Sequence, residues 1–274
     1  MPMPTLSQAA LSVLAADDPA EKVRLTRAHA AAWTAGAITD PGADPGAASP
    51  PDRPARPARP ELRPTREMPP RRKAGSLAGR VALLHALAHI ELNAIDLAWD
   101  IVARFRSARE GGEPLPRAFC DDWVRVADEE ATHFELLSRR LLELGSGYGA
   151  LPAHDGLWQA SRDTAHDLAA RLAIVPLVLE ARGLDVTPAM IANLRRFGDD
   201  ASAAILQRIH DDEIGHVAAG RRWFDWVCAR RAMEPAAAWR MLVERHFKGG
   251  LKPPFNADSR AKAGLPPDFY EPAT

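Results

Sequence analysis

Apolar residues along this chain recur at three- and four-residue steps over long segments, the period of helices with one buried face. Phe119, Trp123, Val126, Leu137 and Leu144 mark one such stripe. Ile205, Ile209, Trp223 and Val227 mark another, and Leu84, Ala88, Ile95, Ala98 and Val102 a third. No useful length of strand-like alternation and no fixed short repeat is present. The pattern predicts an all-α protein. Two small N-terminal helices fall within 5–35, the second opened by Asp18, Pro19 and Glu21, an N-cap followed by a proline and an acid in the first turn. Helix A is expected over 76–109 with Ser76 as its cap, helix B over 117–144 and helix C over 161–182. Helix D is expected to open at Thr187-Pro188, pause near 198–200 and run to about residue 230. A further helix over 235–247 precedes an irregular tail. Four segments result: N-terminal helices (1–35), an extended arm (36–75), a four-helix bundle (76–232), and a C-terminal helix with its tail (233–274).

Polar residues interrupt the apolar stripes at chosen places. Glu130 and His133 lie in line with Trp123 and Leu137, and Glu213 and His216 with Ile209 and Trp223. Each pair is a Glu-x-x-His, whose spacing puts both side chains on one helix face, close enough to hold one metal ion. Glu91 lies on the stripe of helix A. Glu180 ends the apolar run Leu172–Leu179 of helix C. A buried, ionised glutamate is costly unless paired or metal-bound. Two buried Glu–His pairs could each be plain packing; adding Glu91 and Glu180 favours metal. The order Glu, Glu-x-x-His, Glu, Glu-x-x-His, one group per helix, is the ligand pattern of ferritin-like di-iron and di-manganese bundles. A ferritin-like four-helix bundle is the expected architecture.

In this pattern Glu130 and Glu213 are placed to bridge two ions, Glu91 and Glu180 to be terminal carboxylates, and His133 and His216 to bind one ion each. Carboxylates mixed with nitrogen donors suit two iron ions, with manganese or a mixed pair as alternatives. Glu129 and Asp212 are either acceptors for a ligand histidine's second N–H or solvated acids beside the stripe. His85, His89, His166 and His210 lie off the strict ligand positions and read as supporting or interface residues. Trp99, Trp123, Trp223 and Trp226 read as core aromatics in preference to an electron relay. Pro176 cannot donate to the carbonyl of Leu172, so helix C should bend or bulge one turn before Glu180.

Composition narrows the remaining choices. The chain has 274 residues, 46% of them apolar, so a sizeable core is available. A net charge of −1 gives no general attraction to nucleic acid or membrane. Cys120 and Cys228 form no close-spaced motif, which argues against a disulfide framework and for a reducing compartment. The N-terminus does not read as a signal peptide, and the run Leu172–Leu179 is too short to cross a bilayer, so the cytoplasm is the expected location. The arm repeats Pro and Arg, including Arg53, Arg56, Arg59, Arg63, Arg66, Arg71, Arg72 and Lys73, and its prolines exclude helix. It reads first as a solvated linker, with a strap over the bundle or a basic anchor as alternatives.

The stretches His89–Asp100, Leu179–Asp185 and Asp211–Val217 resemble the ferritin-like family known as domain of unknown function 455. The Pro/Arg segment near 54–64 and the tail Lys252-Pro253-Pro254-Phe255-Asn256 share the likeness. More distantly, the arrangement is similar to di-iron mono-oxygenases that hydroxylate isopentenylated adenosine in tRNA. The family likeness implies a ferritin-like bundle with a dinuclear site built from Glu91, Glu130, His133, Glu180, Glu213 and His216. The expected function is a di-iron oxidase or mono-oxygenase acting on a small molecule or modified nucleoside, fed by an electron-donor protein. Ferritin-type iron handling, or a metal-stabilised binding protein whose basic arm meets RNA, are the alternatives.

Overall fold

A computed structural model describes residues 4–38, 49–68 and 75–271. Arg71, Arg72 and Lys73 of the arm lie outside the described residues. The elements in order are α1 (Leu6–Ala15), α2 (Pro19–Thr34), a 3-10 turn (Thr65–Glu67) and α3 (Leu77–Phe105), followed by two-residue strands β1 (Arg109–Glu110) and β2 (Glu113–Pro114). Then come α4 (Arg117–Glu143), α5 (Gly156–Asp163), α6 (Leu168–Ile174), a π-helical segment Val175–Glu180, α7 (Ala181–Arg196), α8 (Asp200–Arg230), α9 (Pro235–His246), α10 (Ala257–Lys262) and α11 (Pro267–Tyr270). The protein is all-α, as the periodicity predicts. Its packing divides it into two compact units, Met1–Arg109 with Pro114–Trp158, and Glu110–Glu113 with Gln159–Thr274.

In the first unit α3 packs along α4, with α1 against α3 and α2 against α4. The expected caps form: Asp18 accepts from the Glu21 N–H at 2.8 Å and Ser76 from Gly79 at 3.0 Å. Trp99 and Trp123 are buried core aromatics, Trp99 donating to Thr26 Oγ1 at 3.1 Å. By length and composition α3 could cross a membrane, yet 67% of its most apolar window is buried in the protein. Its buried Glu91, Asp96 and Asp100 mark it as a core helix with polar work to do.

The described part of the arm is a strap on this unit, not a solvated linker. Arg56 reaches Asp96 on α3 and donates to Asn93 Oδ1 at 2.5 Å. Arg104 donates to the Pro51 carbonyl at 2.6 Å, Trp158 to that of Asp52 at 2.9 Å, and Arg53 pairs with Asp155. The backbone at Glu61–Arg63 bonds on both sides of Ala153, at 3.0 and 2.8 Å. Composition favoured a linker because it cannot reveal that α3 carries buried acids waiting for these arginines.

In the second unit α8 packs against α6, the π segment and α7, and α9 packs against α6. Expected helix C is broken in two before Pro176. Asp167 caps a new helix by accepting from Ala169 at 2.7 Å, while Arg171 folds back to donate to the Ser161 carbonyl at 2.7 Å. Thr187-Pro188 does not start helix D; it lies inside α7. Pro188 leaves the Leu184 carbonyl without its usual donor four residues on, and Asn256 Nδ2 from the tail fills that role at 3.2 Å. The start is instead at Asp199, which accepts from Ser202 at 3.1 Å just after Gly198 with φ +73°. The tail is more ordered than expected, because Asn256 caps α10 by accepting from Ser259 at 3.1 Å.

Asp96 is fully buried between Lys22 Nζ, at 2.6 Å, and Arg56. Asp96→Ala should cost about 3–5 kcal/mol, because it leaves the buried Lys22 ammonium without its carboxylate. The double variant Asp96→Ala/Lys22→Met should recover much of that loss. Urea denaturation measures both.

Candidate metal centre

The first unit gathers three of the expected ligands. Glu91 comes from the middle of α3, and Glu130 and His133 from adjacent turns of α4. Their relative exposures are 3%, 0% and 0%. His133 Nδ1 lies 3.3 Å from Glu91 Oε2 and 3.3 Å from Glu130 Oε2. One donor atom from each of the three lies within 4.8 Å of the others. Two donors bound at about 2.1 Å to one ion, roughly at right angles, stand about 3 Å apart. The observed spacing is therefore that of atoms able to share an ion. Glu91 Oε2 is buried and completes no hydrogen bond among the described residues, which fits an atom meant for a cation.

The electrostatics point the same way. Burial, then the charge of Glu130, pushes the Glu91 carboxyl well above the usual carboxylate range. Burial opposes a charged His133, but the Glu130 and Glu91 carboxylates outweigh it and lift the imidazole to about 11. Without a cation the cluster thus retains protons that a bound metal would replace.

The second unit holds the other three. Glu213 and His216 occupy adjacent turns of α8, with His216 Nδ1 3.6 Å from Glu213 Oε2. His216 is fully buried, and Glu213 Oε2 is buried with no hydrogen-bond partner among the described residues. Glu180 is the last residue of the π segment. The distortion expected at Pro176 takes this form: the Ala181 N–H bonds to the Pro176 carbonyl five residues back, the spacing of a π turn. The close approach of Gly220 to this segment was not legible in the sequence. A Cβ on Gly220 would lie 2.6 Å from Pro176 Cγ, and closer still to its Cβ.

The histidines set aside in the sequence hold structure. His85 Nε2 accepts from the Gly149 N–H at 3.0 Å, and His89 Nδ1 meets Tyr148 Oη at 2.8 Å. Burial presses His89 down to about 4, so it is neutral. Tyr148, lying between Gly147 and Gly149, stacks on both histidines and meets Phe134 edge-on. Its neighbour Phe134 directly follows ligand candidate His133. His210 bonds Ser259 Oγ at 3.2 Å, and His166 lies against the His246 ring. Glu129 accepts from Arg125 at 2.8 Å and Asp212 from Arg208 at 3.4 Å, each one turn back on its own helix. Cys120 and Cys228 are free and buried.

A family model described as "Protein of unknown function (DUF455)" matches residues 15–271. An "Uncharacterized protein" of Haemophilus influenzae (strain ATCC 51907 / DSM 11121 / KW20 / Rd) is 44% identical over 202 residues, covering 72% of this chain and 68% of that one. No solved structure matches.

Tyr148→Phe removes the hydroxyl that meets His89 and leaves a buried ring nitrogen short of a partner. It should lower stability by about 1–3 kcal/mol, read as a shift in the urea midpoint with unchanged slope.

Proposed function

We propose, from the premise that the chain belongs to this DUF455 family, that the protein is a dinuclear metal oxidoreductase that uses dioxygen to oxidise or hydroxylate an organic substrate. The observation that carries the reading is the buried Glu91–His133–Glu130 cluster, with its two 3.3 Å donor spacings. The Glu213–His216 pair repeats the motif in the second unit, next in sequence order to Glu180. The order of ligands along the chain is the ferritin-like pattern, and it supports all six residues as metal ligands. Glu130 and Glu213 are the bridging candidates, Glu91 and Glu180 the terminal carboxylates, and His133 and His216 the nitrogen donors.

The donor set suits iron first, with manganese or a mixed pair as alternatives. Such a pair, when bound, supplies electrons to dioxygen and takes electrons from a substrate. The chain's own part is to keep the ligands on rigid helices and to exclude water with Leu172, Ile174 and Leu177, each wholly buried. The π segment ending at Glu180 favours an oxidase over a store, since such distortions concentrate where a site must adjust. The arm's Arg53 and Arg56 are engaged in binding the strap, which weakens the RNA-binding alternative. A small molecule or modified nucleoside is the substrate class, and an electron-donor protein the partner.

Glu130→Ala and Glu213→Ala should each bring metal content well below two ions per chain, while Glu135→Ala, at an exposed position paired with Arg27, should not. Metal analysis of purified protein decides this, and full occupancy in both bridging variants would overturn the ligand assignment. The iron-loaded, reduced protein should consume dioxygen in an oxygen electrode without taking up iron beyond its centre. Iron accumulating far above two ions per chain would identify a storage protein instead.

A further inference from the structure

We infer that Gly220 and Pro176 are positioning residues that set where Glu180 stands relative to Glu213 and His216. This rests on the metal reading above. All five residues belong to the second unit, and the contact joins its two ligand-bearing segments. Gly220 lies one helical turn after His216 and two turns after Glu213 on α8. Pro176 lies one turn before Glu180 in the π segment. The proline ring occupies the space that a side chain at position 220 would fill, with 2.6 Å from a Gly220 Cβ to Pro176 Cγ. Only glycine allows this approach, and it brings the backbone of α8 against the segment that ends in Glu180.

The geometry makes the contact a lever. Carbon atoms need about 3.5–4.0 Å, so a methyl at 220 must drive the π segment away by about 1 Å. Val175, Pro176, Leu177 and Val178 are all buried, so the shift has no solvent to relax into. It passes along the segment to Glu180. A ligand displaced by that amount leaves the distance range a metal site tolerates. Pro176 acts from the other side. Restoring an N–H at position 176 lets the Leu172 carbonyl regain its donor and the segment return to α-helical winding. Glu180 then turns to a different azimuth.

Neither residue touches a metal directly, so the readout must separate positioning from folding. Metal-free protein is titrated with Co2+ alone, following visible absorption for coordination and stoichiometry, with circular dichroism as the fold check. Gly183→Ala is the control, since a Cβ there meets nothing within 4 Å. Wild type and Gly183→Ala should bind two Co2+ with the same affinities. Gly220→Ala should bind one of the two roughly 10- to 100-fold more weakly, with an altered absorption spectrum. Unchanged affinities and spectrum in a merely less stable Gly220→Ala overturn the inference. If Gly220→Ala fails to fold, Pro176→Ala decides: a folded variant with one weakened Co2+ supports it, and wild-type binding overturns it. Should wild type itself bind no Co2+, the metal reading falls, and this inference with it.

Discussion

Carboxylates on the apolar face of a helix are the constraint from which the rest of this structure follows. Removing one charge from water costs several kcal/mol unless an opposite charge and hydrogen bonds compensate. Glu91 and Glu130 are both nearly or wholly inaccessible, with His133 between them. Burial and the charge of Glu130 lift the Glu91 carboxyl, and the two carboxylates lift His133 against its burial, so without a cation the cluster holds protons that serve little purpose in a purely structural core. A cation relieves the same strain and uses the same three donors. The second unit carries the same conflict on α8, where Glu213 and His216 again share a helix face.

Elsewhere the protein solves its buried charges with its own side chains, and the contrast is informative. Asp96 on α3 is answered by Lys22 from α2 and by Arg56 from the strap. Asp100 is answered by Arg104 at 2.7 Å, and Asp185 by a two-pronged Arg260 at 2.8 Å on each oxygen. Three buried acids thus have Lys or Arg partners. Glu91 and Glu130 are grouped instead around the imidazole of His133, which becomes the neutral donor that metals prefer once a bound cation displaces its proton. That difference in partners separates the structural acids of α3 from the one assigned to chemistry.

Much of this was legible in the sequence, and the rest was hidden for physical reasons. Periodicity placed α3, α4 and α9 within a few residues, and Ser76 and Asp18 cap as their residue types suggest. Pro176 announced the π segment, because a missing N–H acts locally. Pro188 misled, because the donor that replaces its N–H is Asn256, distant in sequence. Thr187-Pro188 therefore imitates a helix start where none exists. The break before Leu168 was equally hidden, since it depends on Arg171 turning back to Ser161. At the candidate centre, the Glu-x-x-His spacing named Glu130 and His133, and the apolar stripe of α3 with the order of ligands named Glu91. These signals could not show Tyr148 holding His89, nor the pressure of Pro176 on Gly220. Those are contacts between segments, and a one-dimensional pattern carries no trace of them.

The proposed function requires that the six Glu and His candidates hold two metal ions. Mössbauer spectroscopy of the iron-57-loaded, oxidised protein in an applied magnetic field addresses it directly. The expected result is two ferric ions per chain with a diamagnetic, exchange-coupled ground state. Spectra of isolated, magnetically independent high-spin ferric ions, or no specifically bound iron, would contradict it.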